Sequence, residues 1–126
     1  MISLHGLQDY KRRYPRVKLP LPADLRILLP NKDPEHYSLN LKSLSYGGLS
    51  FISPVTLKVG TPVEMTIFNF IDEITFGAEV TWIKKVPESK TPNFNVGLKF
   101  THISDENVVK IHHIVNSNLT NPNPST

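Results

Sequence analysis

Apolar and polar residues alternate through most of this chain, which is the pattern of strands with one buried face. Six alternating runs follow one another, at positions 23–29, 37–41, 49–52, 63–69, 74–82 and 94–100. In the longest run, Ile74, Phe76, Ala78, Val80 and Trp82 all fall on one face of the predicted strand. The pattern therefore predicts a mostly β protein.

Turn-forming residues separate these runs. The segment 30–35 contains two prolines with Asn, Lys and Asp between them, and the segment 87–92 begins and ends with proline. Further breaks are predicted at Gly47-Gly48, at 59–62 and in a tight turn near Asp72-Glu73. Short strands at such regular spacing are typical of a sandwich or a barrel.

The last periodic segment has the spacing of a helix. Ser104 is a candidate N-cap, and the carboxylates of Asp105 and Glu106 would interact favourably with the helix dipole in the first turn. The apolar residues that then recur at helical spacing are Val108, Ile111, Val115 and Leu119, with Ile114 beside them. This segment is predicted to be one amphipathic helix.

Six strands and one helix in 126 residues indicate a single small domain. The predicted fold is mostly β, a six-stranded antiparallel β-barrel with a C-terminal α-helix across one opening. Barrel closure is favoured because it removes exposed sheet edges. The predicted organisation is a flexible N-terminal arm at 1–20, the barrel and helix at 21–119 and a disordered tail at 120–126.

Composition narrows the classes of function. The chain has no cysteine, which excludes thiol catalysis, thiolate zinc sites and disulfides. It shows no P-loop, no Gly-x-Ser-x-Gly elbow and no histidine pair at metal-binding spacing, so we expect neither an enzyme nor a bound cofactor or metal. No apolar run is long enough for a membrane span and no signal peptide is evident, so we expect a cytoplasmic protein without membrane insertion.

Positive charge is concentrated near one end of the chain. The net charge is +3, and three of the four arginines lie within residues 11–16. Guanidinium groups bind phosphates in bidentate fashion and stack on rings, so this segment suits a small anionic partner. Taken alone, it also has the composition of a basic, solvated tail.

A second motif comes where one predicted strand ends and the next begins. Ser43-Leu44-Ser45-Tyr46-Gly47-Gly48 combines small hydroxyls with glycines, which permit positive φ and close approach of a ligand, although a simple hairpin turn has the same composition. With Arg12-Arg13-Tyr14-Pro15-Arg16, it makes the chain resemble the PilZ domain family, which carries Arg-x-x-x-Arg before the barrel and (Asp/Asn)-x-Ser-x-x-Gly after the second strand. The segments 77–82, 95–100 and 103–104 also look like that family's later strands and ending.

The resemblance implies a bacterial signalling domain that binds cyclic di-GMP. It implies that the arm folds over the nucleotide and that a downstream protein partner reads the new surface. Arg12 and Arg16 would grip phosphate or guanine, with Arg13 in support, Ser45 would hydrogen-bond the ligand and Gly48 would set the turn. Trp82 would lie near the base, although a place in the core is an equally good interpretation of that residue. The ligand-binding residues implied are Arg12, Arg13, Arg16, Ser43, Ser45, Gly48 and Trp82.

Ser43 departs from the family pattern, which has Asp or Asn at that position. One carboxylate can accept both N1–H and N2–H of guanine, whereas a serine offers a single uncharged oxygen. Asn40 lies three residues upstream, which places it on the opposite strand face unless a bulge intervenes. We therefore expect weaker binding than an intact motif would give.

Two other functions remain open. The chain could be a PilZ-like protein-interaction adaptor with weak or no nucleotide binding, which Ser43 would explain. It could also be a small barrel that binds single-stranded nucleic acid on aromatic and basic surfaces. The localised charge disfavours nucleic acid, and the intact pair Arg12 and Arg16 disfavours loss of the nucleotide.

Overall fold

The computed structural model describes residues 15–87 and 90–119. It contains seven strands and one helix within those residues. The elements are β1 (Arg16–Lys18), β2 (Pro22–Ile27), β3 (Glu35–Ser45), β4 (Gly48–Ser53), β5 (Pro62–Asn69), β6 (Asp72–Lys85), β7 (Phe94–His102) and α1 (Asp105–Leu119). The prediction of a six-stranded antiparallel barrel with a C-terminal helix is confirmed, because β2 to β7 form the closed ring.

The ring has the order β3-β2-β5-β6-β7-β4, and the pairing of β4 with β3 closes it. The short strand β1 lies in line with β2 along the same edge of β3, where Arg16 pairs with Ser45 and Lys18 with Ser43. Val17 between them is buried. Residues 16–18 of the expected arm are therefore part of the sheet, whereas residues 1–14 and the predicted tail at 120–126 lie outside the described residues.

The core is built from the alternation that the sequence shows. Inward side chains of the strands, among them Leu25, Met65 and Ile74, are buried in one cluster. The helix covers the end of the barrel where β3 and β7 finish, and its residues Ile111, Ile114 and Val115 complete that cluster. Leu119, the last apolar position of the predicted helical stripe, is exposed instead.

The helix begins as predicted. The hydroxyl of Ser104 accepts a hydrogen bond from the backbone N–H of Asn107 at 3.1 Å, which is N-cap geometry. The carboxylates of Asp105 and Glu106 lie in the first turn. The Asn107 side chain also donates to the carbonyl of Thr75 at 2.9 Å, so the start of the helix is held against β6.

The expected position of Trp82 on the buried face of β6 is wrong. Val80 pairs with Leu98 and Trp82 with Gly97, so the register shifts by one residue at Thr81. A bulge of this kind reverses the facing of the residues that follow it. Trp82 consequently lies on the outer face of the barrel.

The predicted turn near Asp72-Glu73 is also displaced. β5 and β6 pair as far as Asn69 and Asp72, so the two-residue turn consists of Phe70 and Ile71. The inward residues Ile67 and Ile74 are cross-strand partners, and their pairing fixes the register. Burial of those side chains thus outweighs the local preference for polar turn residues.

Candidate functional site

A row of residues crosses the outer face of the barrel near the end covered by α1. Arg16 on β1 pairs with Ser45 on β3, and Gly48 on β4 pairs with Lys99 on β7. Ser45 joins the two pairs, because its hydroxyl donates to the carbonyl of Gly48 at 3.1 Å. Lys99 continues to Glu79 on β6, with 4.0 Å between Nζ and Oε2. The row thus places two cations on either side of a small-residue floor.

A second row runs parallel to the first, two residues further along β1, β3, β4 and β7. It starts at Lys18 and continues through Ser43, Ser50 and Gly97 to Trp82. The three middle residues are again small, so the face between the cations and the indole is shallow and open. Such a floor lets a flat ligand lie close to the backbone of three strands.

Trp82 lies directly on Gly97. A Cβ atom added at Gly97 would come within 2.1 Å of the indole Nε1, so no larger residue fits below the ring. The bulge that turns Trp82 outward is held by the hydroxyl of Thr81, which donates to the Gly97 carbonyl at 3.2 Å. The ring is thereby presented in a fixed position at one side of the floor.

These rows enclose a cavity of about 510 Å³ on the outer face. Its lining includes four of the seven residues that the sequence predicts, namely Arg16, Ser45, Gly48 and Trp82, together with Lys99. Ser43 is not part of the lining, and Arg12 and Arg13 lie outside the described residues. The structure thus brings together the described half of the arginine motif, the Ser/Gly turn and the tryptophan.

Gly48 is required by close packing and not by an unusual φ. A Cβ atom at this position would lie 2.0 Å from the carbonyl oxygen of Leu98 on the neighbouring strand. Among the glycines of the described segments, only Gly60 has a positive φ. Gly48 therefore allows β4 and β7 to approach each other beneath the cavity.

Ser43 is committed to a local hydrogen bond. Its Oγ lies 2.6 Å from Oγ of Ser50, and both side chains are buried. A bulge at Lys42 precedes it, and the alternation of burial along β3 puts Asn40 on the same outer face as Ser43. The bulge therefore places Asn40 on the same strand face as Ser43. Asn40 nevertheless lies three residues before Ser43 on β3.

Further basic residues extend this face beyond Trp82. Lys42, Lys84 and Asn95 line a shallow, open cavity on the far side of the indole, and Lys42 Nζ donates to Asn95 Oδ1 at 3.2 Å. Arg26 belongs to a different surface, since it forms an ion pair with Glu64 at 2.8 Å. The outer face is therefore a basic surface centred on one aromatic ring.

Sequence reasoning missed several residues of this face. Ser50, Gly97 and Lys99 lie in runs that were interpreted only as strands, and cross-strand register alone brings them beside the predicted motifs. The alternation along each strand could have revealed them, because each residue occupies an outward position on a strand that lies beside one of the motifs. Small residues at two of these positions are a further sign, since they leave room above the sheet.

The turn next to the site contacts the helix. Tyr46 lies with its ring centroid 4.6 Å from that of His112, and its hydroxyl donates to Oδ1 of Asn116. The Ser/Gly turn is therefore coupled to the C-terminal half of α1. A ligand that moves this turn would act on the helix directly.

Two classes of feature are absent from the described segments, 15–87 and 90–119. They contain no group of three or more His, Asp or Glu side chains that could hold a metal ion. No helix within them is both long and apolar enough to cross a membrane.

The chain is similar to known proteins in sequence and in fold. A family model described as PilZ domain matches residues 10–117. The chain is 28% identical over 114 residues to the alginate biosynthesis protein Alg44 of Pseudomonas syringae pv. tomato, a match that covers 89% of this chain and 28% of Alg44. The chain thus spans just over a quarter of that relative's length.

Solved structures from several bacteria share this fold. The PilZ domain of YcgR from Escherichia coli, determined with c-di-GMP, matches with a TM-score of 0.64 and 21% identity over 86% of this chain and 92% of that one. MotI, an inhibitor of motility from Bacillus subtilis, matches with a TM-score of 0.68 and 17% identity, over 89% of this chain and 53% of MotI. The MrkH–c-di-GMP complex of K. pneumoniae matches with a TM-score of 0.66 and 18% identity, over 84% of this chain and 51% of MrkH. Because the family model covers most of the chain and the same barrel recurs in these structures, the chain belongs to the PilZ domain family.

Proposed function

We propose that this chain is a signalling domain that binds cyclic di-GMP on its outer face and passes the signal to a protein partner. The observation that carries the proposal is the cavity between Arg16, the Ser45–Gly48 turn, Lys99 and Trp82. Two of the solved structures with the same fold were determined with c-di-GMP. The role proposed is binding and regulation, without catalysis.

The chemistry of the cavity suits this ligand. Cyclic di-GMP carries two phosphates and two guanines, so it needs cations, ring faces and small hydrogen-bonding groups within a short distance. The guanidinium of Arg16 can grip a phosphate, or the O6 and N7 edge of guanine, with two parallel hydrogen bonds. Lys99 supplies a second cation, and the exposed face of Trp82 supplies a surface for base stacking.

The small-residue floor explains how a flat base could come close. Ser45 and Gly48 form the turn at one side of the cavity, and Gly97 leaves the backbone open under Trp82. A ligand on this floor would contact three strands at once. The pairing of Lys99 with Glu79 is long, at 4.0 Å, so a phosphate could replace that carboxylate as the partner of the ammonium group.

The segment N-terminal to Pro15 completes the proposed site. Arg12 and Arg13 belong to it, and β1 begins directly after it with Arg16, beside the cavity. We propose that this segment folds over the bound nucleotide and adds its guanidinium groups from above. Ordering of a segment on ligand binding creates a new surface, which is how the signal would reach a partner.

Ser43 is expected to weaken binding. Its hydroxyl is already bonded to Ser50, so it cannot replace a carboxylate that accepts two donors of guanine. Loss of one charge-assisted hydrogen bond costs about 1.5–3 kcal/mol, which is a decrease in affinity of about 10- to 150-fold. The proposed receptor therefore responds to a higher concentration of the messenger than one with Asp at this position.

Isothermal titration with cyclic di-GMP tests the proposal. The wild-type chain should bind saturably, Arg16→Ala should lose most of the affinity, and Lys32→Ala should behave like the wild type. Lys32 is the matched control because it removes one positive charge from the exposed β2–β3 loop, at the far end of β3 from Ser45. Arg16 is exposed, so its truncation leaves the pairing of β1 intact.

Absence of binding heat with a folded protein would overturn the nucleotide proposal and leave the adaptor function. Binding of single-stranded oligonucleotides that falls steeply with salt, without a response to cyclic di-GMP, would instead indicate a nucleic-acid-binding barrel.

A further inference from the structure

Two large apolar side chains project into solvent at the tip of the β5–β6 hairpin. Phe70 and Ile71 are 99% and 97% exposed, more than any other large apolar residue in the described segments. Phe70 also has a φ of 57°, a left-handed conformation that two-residue hairpin turns usually give to Gly, Asn or Asp. Formation of this turn alone would favour Gly, Asn or Asp at position 70. The phenyl ring is therefore better explained by a contact with another molecule.

The hairpin presents these side chains on a stiff support. β5 and β6 pair without a register shift as far as Asn69 and Asp72. At that end, Nζ of Lys110 lies 3.8 Å from Asp72 and 3.6 Å from Glu106, so α1 is linked to the base of the turn. A contact residue on a fixed support loses little conformational freedom when it binds.

A cavity lies beside the tip, between the hairpin and α1. It has a volume of about 210 Å³, and neither Phe70 nor Ile71 lines it. Its lining combines apolar Ile74, Val109 and Ile114 with polar or charged Asn69, Asp72, Lys110 and His113. Cavities of about 150 Å³ can hold a benzene ring, so a phenyl group fits this one by volume.

We infer that this surface is the interface of a symmetric dimer of the chain, in which Phe70 of each copy enters the cavity beside the other copy's hairpin. A two-fold dimer uses the same patch on both subunits, so each patch must complement itself. A protruding ring next to a cavity meets that requirement. The inference concerns a surface outside the proposed nucleotide site and does not depend on it.

The charges of the patch complement one another in the same way. Glu73 comes shortly after the tip and is exposed, and His113 lines the cavity on α1, whereas Lys110 beside it already lies within ion-pair distance of Asp72 and Glu106 of its own copy. In a two-fold arrangement, the Glu73 carboxylate of one copy approaches His113 of the other, while Lys110 keeps its contacts with Asp72 and Glu106 of its own copy. The same carboxylates would be repelled by an anionic membrane surface, which disfavours a bilayer as the occupant.

The dimer is expected to be weak and to leave the nucleotide site open. Two hairpin tips and two small cavities bury less than about 1,200 Å², the low end for specific interfaces, so we expect a Kd on the order of 10–100 µM. Asp72 and Trp82 are ten positions apart on β6, roughly 30 Å along the strand. Ligand binding and dimerisation should therefore be separable by substitution.

Sedimentation velocity of the full chain, from about 5 to about 500 µM, tests the inference because this range brackets the expected Kd. The wild type should change from monomer to dimer, and Phe70→Asn should weaken the dimer about 10-fold or more. Asn tolerates a left-handed φ, so this variant should fold at least as stably as the wild type. Val59→Asn is the control, since Val59 is another exposed apolar residue away from the patch.

Three results would overturn the dimer: a wild type that stays monomeric at the highest concentration, a dimer that Phe70→Asn leaves unchanged, or an equal loss in Val59→Asn. A wild type that stays monomeric would direct the search for the occupant of the tip to a different protein. In all variants, titration with cyclic di-GMP should give the wild-type affinity, because none of these residues touches the nucleotide cavity.

Discussion

In the proposed site, the buried hydroxyl pair of Ser43 and Ser50 would set how strongly the outer face holds a guanine. A carboxylate at position 43 has two oxygens with about four acceptor positions, so it could accept the Ser50 hydroxyl and both guanine donors together. Two serine hydroxyls that bond to each other at 2.6 Å leave much less capacity. In the proposed site, Ser43, which departs from the family motif, would therefore limit affinity without closing the cavity.

Ser43→Asp is predicted to tighten binding of cyclic di-GMP about 10- to 150-fold, because one charge-assisted hydrogen bond is regained. Isothermal titration measures the change. Asn40→Asp is the matched control, since it adds the same charge on the same face of β3 at an exposed position and should give no gain. An unchanged affinity in Ser43→Asp would contradict this explanation of the site.

At the scale of single residues, the sequence predicted those parts of the site that lie in continuous motifs. Arg16, Ser45 and Gly48 are singled out by the resemblance to the family's motifs, and in the structure all three line the same cavity. Ser50, Gly97 and Lys99 could not be identified in this way, because their neighbours across the sheet are set by register and not by distance along the chain. Their contribution becomes visible only when the strands are paired.

At the scale of elements, the alternation of apolar and polar residues predicted all six barrel strands. It did not predict which face residues occupy after a bulge. The bulge at Thr81 adds one residue to β6, and the residues after it therefore face the other way. The resemblance predicted that Trp82 lies near the ligand, whereas periodicity predicted that it lies on the buried face of β6. One side chain cannot occupy both positions. The bulge, which periodicity does not reveal, resolves that conflict.

The helix connects the cavity of the outer face with the tip of the β5–β6 hairpin. Its C-terminal half contacts Tyr46 in the turn beside the nucleotide cavity, and its Lys110 bonds the base of the β5–β6 hairpin. This position makes α1 the element through which a change at the turn would be transmitted. The attachment of Tyr46 to α1 is therefore the contact to test at this scale.

Tyr46→Phe is predicted to lower the free energy of unfolding by about 0.5–1.5 kcal/mol, because the hydroxyl that donates to Asn116 is lost while the ring contact with His112 stays. Urea unfolding followed by circular dichroism measures it. Tyr37→Phe is the control: its hydroxyl donates to Glu35, two residues away on the same strand, so this bond joins no two elements and should contribute little. Equal stability of the Tyr46 variant and the wild type would show that the hydrogen bond to Asn116 does not help to hold the turn on the helix.

At the scale of the whole molecule, the division between barrel and N-terminal segment is the basis of the proposed switch. β1 is already paired with β3, so its amides should be protected from hydrogen exchange in both states. The part of the segment that responds to ligand should therefore precede Pro15. The sequence alone placed this boundary later, at residue 20, because the prolines at 20 and 22 conceal the pairing of Arg16–Lys18.

Hydrogen exchange with and without cyclic di-GMP is predicted to show slower exchange of residues 8–14 in the complex and little change at Arg16–Lys18. The reason is that the segment gains hydrogen bonds and burial only when it folds over the ligand. Mass spectrometry of peptides from this region measures the difference. Equal exchange of residues 8–14 in both states would argue against the switch, although binding on the barrel face could still occur.

We propose that cyclic di-GMP binds to the outer face between Arg16 and Trp82, and the single tryptophan of the chain allows this binding to be tested directly. The measurement is a titration in which the indole N–H resonance of Trp82 is followed by proton–nitrogen correlation spectroscopy. We predict a saturable shift of this resonance in the wild type that Arg16→Ala abolishes at the same ligand concentration. A resonance that stays in place while the ligand is bound elsewhere, or that does not respond at saturating ligand, would contradict the account.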